Sequence, residues 1–243
     1  MKSSELRPTV AIDCFTDGFR NYEGYAVVAV DVIRATTTAV TAVGSGRRCF
    51  PVSSIEDAYR VAGTLEEPLL VGELGGAMPY GFDLTNSPAQ LARRTDTGRP
   101  VILLSTSGTR LVMSAPTGVY VACLRNYQAQ IDHLVGRHPR VLVIGAGTRG
   151  EFRDEDQMCC AWIADGLIAA GYQPENAATA QLVDRWSGLP ADAFVGGKST
   201  EYLRETNQLD DLDFILNTVN DSDGVFARMN EEICFAGQPV YAR

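Results

Sequence analysis

Short apolar runs recur along the chain, and each closes on small or polar residues. Residues 26–32 (AVVAVDV) lead into IRATTT at 33–38, and residues 68–71 lead into GELGG at 72–76. Residues 101–104 lead into STSGT at 105–109, and residues 141–144 lead into GAGTRG at 145–150. Continuous apolar runs of this length read as strands buried on both faces. Helical patterns lie between them. Residues 36–46 form one, with Gly44 and Gly46 as stop signals, and Ser54 caps a second that runs to Ala62, with Glu56 and Asp57 in its first turn. Ser87-Pro88 opens a third, and residues 154–170 form the longest, ending at Gly171.

Strands alternating with helices predict an α/β fold: a layered α/β/α arrangement around a mixed, largely parallel sheet, as one domain over residues 1–243. Ligands of such sheets bind beyond the carboxyl ends of the strands. The four polar segments that follow the apolar runs are therefore expected to meet there. The last third is less regular. Residues 219–223 (VNDSD) read as a turn, residues 225–228 and 238–242 as edge strands, and no chemistry is assigned to this region.

Composition narrows the choice of ligand. The chain has 243 residues, 45% hydrophobic and 21% charged, with a formal net charge of −9. A nucleic-acid partner would need a basic surface, so none is expected. An acidic molecule can still bind an anion through a local pocket of Arg and backbone N–H groups, or through a metal. The amino terminus lacks the pattern of a signal peptide, and no apolar stretch approaches the roughly 20 residues of a membrane span. The six cysteines include no C-x-x-C pair, and only His133 and His138 are available as imidazoles. The expectation is free thiols, a cytoplasmic location and no zinc site. Oligomeric state is left open, a homo-oligomer included.

Several short motifs fail on chemical grounds. Gly145, Gly147 and Gly150 have dinucleotide-loop spacing, but Glu151, Asp154, Glu155 and Asp156 follow and would repel a pyrophosphate. Gly197-Lys198-Ser199 resembles the end of a P-loop but has Asp192 where the first glycine belongs. Cys14 and Arg20 have cysteine-phosphatase spacing, but Asp17 between them opposes a thiolate. Asp211 and Asp213 lack the threonine of an aspartyl-phosphate motif.

Four segments keep a functional reading. Asp31 ends a buried strand, Arg34 can grip phosphate or sulfonate oxygens with two parallel bonds, and Thr36 and Thr37 add hydroxyl donors. The alternative is that the threonines cap the helix and Asp31 pairs with Arg34. In the long loop at 72–88 (GELGGAMPYGFDLTNSP), Glu73 and Asp83 are candidate metal ligands and Asn86 and Ser87 candidate oxyanion donors, with helix capping as the alternative for the last two. Ser107, Gly108 and Thr109 belong to a loop that can wrap an anion in N–H groups. The carboxylates at 151–156 suit Mg²⁺, a hard cation that prefers oxygen ligands.

These segments, in this order, together with LRN at 124–126 and GAG..G.F..ED at 145–156, are similar to the 2-phosphosulfolactate phosphatase family of coenzyme M biosynthesis. The likeness runs from about residue 10 to residue 175. It implies Mg²⁺-dependent hydrolysis of a phosphate monoester of a small sulfonated hydroxy acid, giving sulfolactate and phosphate. On this resemblance the site comprises Asp31, Arg34, Thr36, Thr37, Glu73, Asp83, Asn86, Ser87, Ser107, Gly108, Thr109, Glu155 and Asp156. Asp31 and Arg34 are taken as catalytic, and Asp31, Glu73 and Asp156 as holding Mg²⁺. Water attack and a covalent intermediate on Asp31 both remain open. Leu74, Thr85 and Ser107 depart from the residues usual in the family, where they replace Arg, Gly and Asn. These departures bear on the substrate, leaving another small phosphorylated acid, or a non-catalytic anion binder, as alternatives.

Overall fold

The computed structural model describes residues 7–16, 22–114, 118–148 and 150–236. The element order is β1 (Thr9–Cys14), β2 (Ala26–Val30), α1 (Ala35–Gly44), β3 (Cys49–Val52), α2 (Ile55–Ala62), β4 (Leu69–Gly72) and α3 (Pro88–Ala92). Then come β5 (Val101–Leu104), α4 (Gly108–Ser114), β6 (Val119–Ala122), α5 (Tyr127–Leu134), β7 (Arg140–Gly145) and α6 (Asp154–Ala169). The last part holds β8 (Gln173–Pro174), α7 (Ala177–Trp186), α8 (Lys198–Glu205), α9 (Leu209–Asn217), β9 (Phe226–Met229) and β10 (Glu232–Phe235).

All strands join one mixed, largely parallel sheet in the order β4-β5-β3-β10-β9-β6-β2-β7-β1-β8. Two parallel blocks flank the β9–β10 hairpin, whose three antiparallel ladders stitch them together. The segment at 225–228 was expected at a sheet edge and instead lies in the middle, because β9 pairs with β6 on one side and β10 on the other. The other expected edge strand, at 238–242, lies outside the described residues.

Three hydrophobic clusters follow from this topology. Val28, Val30, Val141 and Val143 face α5, α6 and α7 through residues such as Ile131, Met158, Ile163 and Val183. Ala29, Val121 and Ile144 share the second cluster with Leu69, Leu103 and the α1 residues Val40 and Val43, so α1 lies between the two blocks of the sheet. Ile102 and Leu104 turn the other way, toward Ala58 and Val61 of α2. Residues 35–43 of α1 are all buried, as a helix apolar all round must be. Its threonines are tolerated because they bond to the backbone of the preceding turn, as Thr41 does to the Thr37 carbonyl at 2.7 Å. Ser54 and Ser87 cap α2 and α3 as the sequence indicated, accepting from Asp57 N and Gln90 N. Among the described residues no helix is long and apolar enough to cross a membrane.

Candidate active site

The loops after β2, β4, β5 and β7 converge, as expected of strand carboxyl ends, on a cavity of about 260 Å³. Asp31 and Arg34 come from the first loop, Glu73 from the second, Ser105, Thr106 and Ser107 from the third, Thr148 and Arg153 from the fourth. Asn86 also lines the cavity, and Lys198, Ser199 and Tyr202 of α8 complete it beside Arg153, which shares Glu151 with Lys198.

Asp31 is 7% exposed and stands directly after β2. Its Oδ1 accepts from Ala35 N at 3.1 Å, while Oδ2 faces Gly108, where a Cβ would collide with that oxygen and with Ala35. Gly108 is therefore needed for close packing at this point. Burial pushes the Asp31 carboxyl up to about 7, the neighbouring carboxylates of Glu73 and Glu155 add to the rise, and the Ala35 N–H and the Arg34 guanidinium oppose it.

Arg34 is 5% exposed and follows a cis Ile33–Arg34 peptide bond. Its partner is not Asp31. Nη1 donates to Asp211 Oδ2 and to Gln208 Oε1, each at 2.5 Å. The other oxygen of Asp211 accepts from Ser87 Oγ at 2.6 Å and Ala89 N at 3.1 Å. The buried charge pair thus has its remaining lone pairs filled, which such a pair requires.

Glu73 lines the cavity but braces the next loop. Oε1 accepts from Thr106 N at 2.7 Å, and Oε2 accepts from Thr106 Oγ1 at 2.7 Å and Gly76 N at 2.8 Å. Asp156 stands behind the cavity, where its two oxygens take Val32 N at 2.8 Å and Gly147 N at 3.4 Å, tying the β7–α6 loop to the β2–α1 loop. Glu155 is 1% exposed and its Oε2 has no hydrogen-bond partner. Burial raises the carboxyls of Asp156 and Glu155, and for Asp156 the charges of Asp31 and Glu155 add to it.

Several nominated residues serve the scaffold. Thr36 Oγ1 donates to Asp31 O at 2.8 Å and Thr37 Oγ1 to Val32 O at 2.8 Å, so these hydroxyls stiffen the loop and do not line the cavity. Thr109 Oγ1 closes the β5–α4 turn on Ser105, and Ser87 caps α3 and holds Asp211. Asp83 is exposed and clamps β4, accepting from Leu70 N at 2.9 Å, and it is not among the residues that line the cavity. Asn126 of the LRN segment joins β6 to the Gly224 carbonyl. Asn86 and Ser107 do line the cavity, and Asn86 Oδ1 has no partner. Leu74, one of the departures from the family pattern, lies outside the wall and is 45% exposed.

The sequence reading missed the contribution of the last third. Lys198 and Ser199 belong to the segment set aside as a failed P-loop, with Tyr202 further along the same helix, and Asp211 to the pair set aside as a failed aspartyl-phosphate motif. The paired glycines Gly196-Gly197 before Lys-Ser-Thr at a helix start were the available signal. Cys14 is half-buried at the end of β1, and its supposed partner Arg20 lies outside the described residues.

Among the described residues no three His, Cys, Asp or Glu side chains are grouped to hold a metal ion. The donor chemistry still suits a hard cation: Asp31 Oδ2 is not taken by a hydrogen bond, and the charge of Glu155 raises the carboxyls of both Asp31 and Asp156.

Fold and site together define an α/β protein with a small cavity, lined by Arg, Lys and hydroxyl side chains, at the carboxyl ends of its strands. A family model described as 2-phosphosulpholactate phosphatase matches residues 16–226, and the chain belongs to that family of phosphoric monoester hydrolases. A protein of Clostridium perfringens (strain SM101), called "Probable 2-phosphosulfolactate phosphatase", is 32% identical over 220 residues, covering 87% of this chain and 89% of its own. Proteins of the same description from Gloeothece citriformis and Pseudothermotoga lettingae are 32% and 39% identical. Their matches cover 79% and 57% of this chain, and 84% and 61% of their own lengths.

Proposed function

We propose that the chain hydrolyses 2-phosphosulfolactate to sulfolactate and phosphate, with Mg²⁺ as cofactor, in the cytoplasm. The observation that carries the reading is the placement of Arg34 beside Asp31 on one cavity wall, with Arg34 anchored by Asp211 and Asp31 presenting a free carboxylate oxygen. At about 260 Å³ the cavity lies below the roughly 300–1,000 Å³ of sites for drug-sized ligands, which suits a small acid better than a nucleotide.

Arg34 Nη1 is committed to protein acceptors, and its other N–H groups are the ones offered to a phosphoryl oxygen. Because the guanidinium is fixed before substrate arrives, it costs no reorganisation when charge shifts in the transition state. Thr106 N is held by Glu73 and Gly108 N by Ser105 Oγ, so the loop that carries Ser107 is pre-shaped for the same phosphate. Asp31 orients the attacking water through Oδ2, and its working form is the ionised one. Asp31 would also hold Mg²⁺, with water and substrate oxygens in most positions, as is usual for this ion. Glu73 and Asp156 would stand by as carboxylates already filled by N–H and O–H donors. When bound, Mg²⁺ supplies charge neutralisation and a water of lowered pKa.

A panel of 2-phosphosulfolactate, 2-phospholactate and 3-phosphoglycerate, assayed for phosphate release with Mg²⁺ and with EDTA, tests the reading. The expected result is fastest turnover of 2-phosphosulfolactate, lost on chelation. Preference for another acid moves the substrate, and no release from any of them removes the phosphatase reading.

A further inference from the structure

The two walls of the cavity differ in how their cations are satisfied. Arg34 is matched by Asp211 within a filled hydrogen-bond network. Arg153, directly before α6, is not. Its side chain is 16% exposed, and Nη1 lies 3.1 Å from Glu151 Oε2 as an ion pair. Yet Nε and Nη1 are both out of solvent and without a hydrogen-bond acceptor. Buried guanidinium donors left unpaired are costly, and the residue that carries them is one that lines the cavity.

Glu151 also pairs with Lys198 of α8, so two cations on this wall share one carboxylate. Glu151 itself is 48% exposed on the side chain and is not among the residues lining the cavity. Thr148 and Ser199 also line the cavity, and the Ser199 hydroxyl is engaged with the Glu155 carboxylate. The cavity therefore has two cationic anchors from different loops, Arg34 from the loop after β2 that also carries Asp31, and Arg153 from the loop after β7, joined to Lys198 through Glu151. That is the arrangement for a ligand with a reacting anion at one end and a permanent anion at the other.

Resting on the function proposed above, we infer that Arg153, assisted by Lys198, receives the non-reacting sulfonate of the substrate and so sets specificity. A sulfonate offers three tetrahedral oxygens, enough to take the fork of Arg153 and the ammonium of Lys198 together. A substrate with a methyl group in its place would leave those donors unpaired, and sites built to hydrogen-bond a group reject analogues that lack it.

The test is a cycle of residue deletion against group deletion. kcat/KM is measured for 2-phosphosulfolactate and 2-phospholactate with the wild type, Arg153→Gln and Lys198→Ala. The ratio of the two substrates should fall by roughly tenfold or more in Arg153→Gln, mainly through KM. A smaller fall in the same direction is expected for Lys198→Ala, whose exposed side chain poses little risk to folding. Equal losses on both substrates, or no loss on either, overturn the inference while leaving the phosphatase reading intact. Should the wild type hydrolyse neither compound, the proposed function fails and binding decides the inference instead. The wild type should then bind sulfolactate more tightly than lactate, with the difference erased in Arg153→Gln, and equal affinities overturn it.

Discussion

The guanidinium of Arg34 is held by the carboxylate of Asp211, 177 residues further along the chain, with Nη1 2.5 Å from Oδ2 and both side chains almost wholly buried. The far end of the chain thus fixes the cation that the β2–α1 loop presents. Asp211→Ala strands a buried charge and should cost about 3–5 kcal/mol of stability, the usual cost of removing one partner of a buried pair. kcat/KM should fall as well, because Ser87 and Arg34 lose their common acceptor. Urea unfolding and steady-state kinetics on the same variant check both; unchanged values in each would mean that Asp211 does not position Arg34.

Arg34→Lys should lower kcat by about a hundred- to a thousandfold, the scale of losing one preorganised donor. Lysine has a single ammonium, which cannot keep Asp211 and Gln208 and also face the cavity as a planar fork does. A variant that turns over at the wild-type rate would place the phosphate elsewhere.

Gly108→Ala should be inactive and destabilised by about 1–3 kcal/mol, as overpacking of a buried site is. The added methyl meets the Asp31 carboxylate and the Ala35 Cβ. Gly98→Ala, where nothing lies within 4 Å, is the control and should behave as wild type. Equal behaviour of the two variants in melting temperature and turnover would contradict the packing.

Asp31 sets stability against function. Its folded pKa, near 7, lies above the ordinary value of 3.8 because burial disfavours the charge. The folded state therefore keeps the proton longer than the unfolded state as pH rises. Stability present below about pH 4 is lost progressively up to about pH 7, and activity, which needs the ionised form, rises through the same upper range. With metal chelated, Asp31→Asn should melt higher than wild type at pH 8, by on the order of 2–4 kcal/mol of stability, with little difference at pH 4. A pH-independent difference in calorimetric melting would contradict a buried, raised carboxyl.

The parts legible in the sequence were those carried by local pattern. The run at 101–104 is β5, the Ser54 and Ser87 caps stand where the sequence put them, and the four strand-end loops do meet. What local pattern could not carry was direction of facing. Thr36 and Thr37 have the chemistry of anion donors, but their hydroxyls turn back onto the β2–α1 loop, to the carbonyls of Asp31 and Val32. Glu73 and Asp156 have the chemistry of metal ligands, but the N–H groups that fill them come from loops remote in sequence. Lys198 and Asp211 reach the site only through the packing of α8 and α9 against the strand-end loops, which the alternation of strands and helices does not announce. The β9 segment was expected at a sheet edge. Its place between β6 and β10 depends on pairings more than 100 residues apart.

The most direct measurement is phosphate release from 2-phosphosulfolactate by the wild type and by Asp31→Asn, side by side in Mg²⁺ at pH 8. The wild type should release phosphate, and the variant should lose at least about a hundredfold in kcat, since it removes the carboxylate at the reacting end of the cavity. An Asp31→Asn enzyme with full turnover, or a wild type that leaves 2-phosphosulfolactate untouched, would contradict the account.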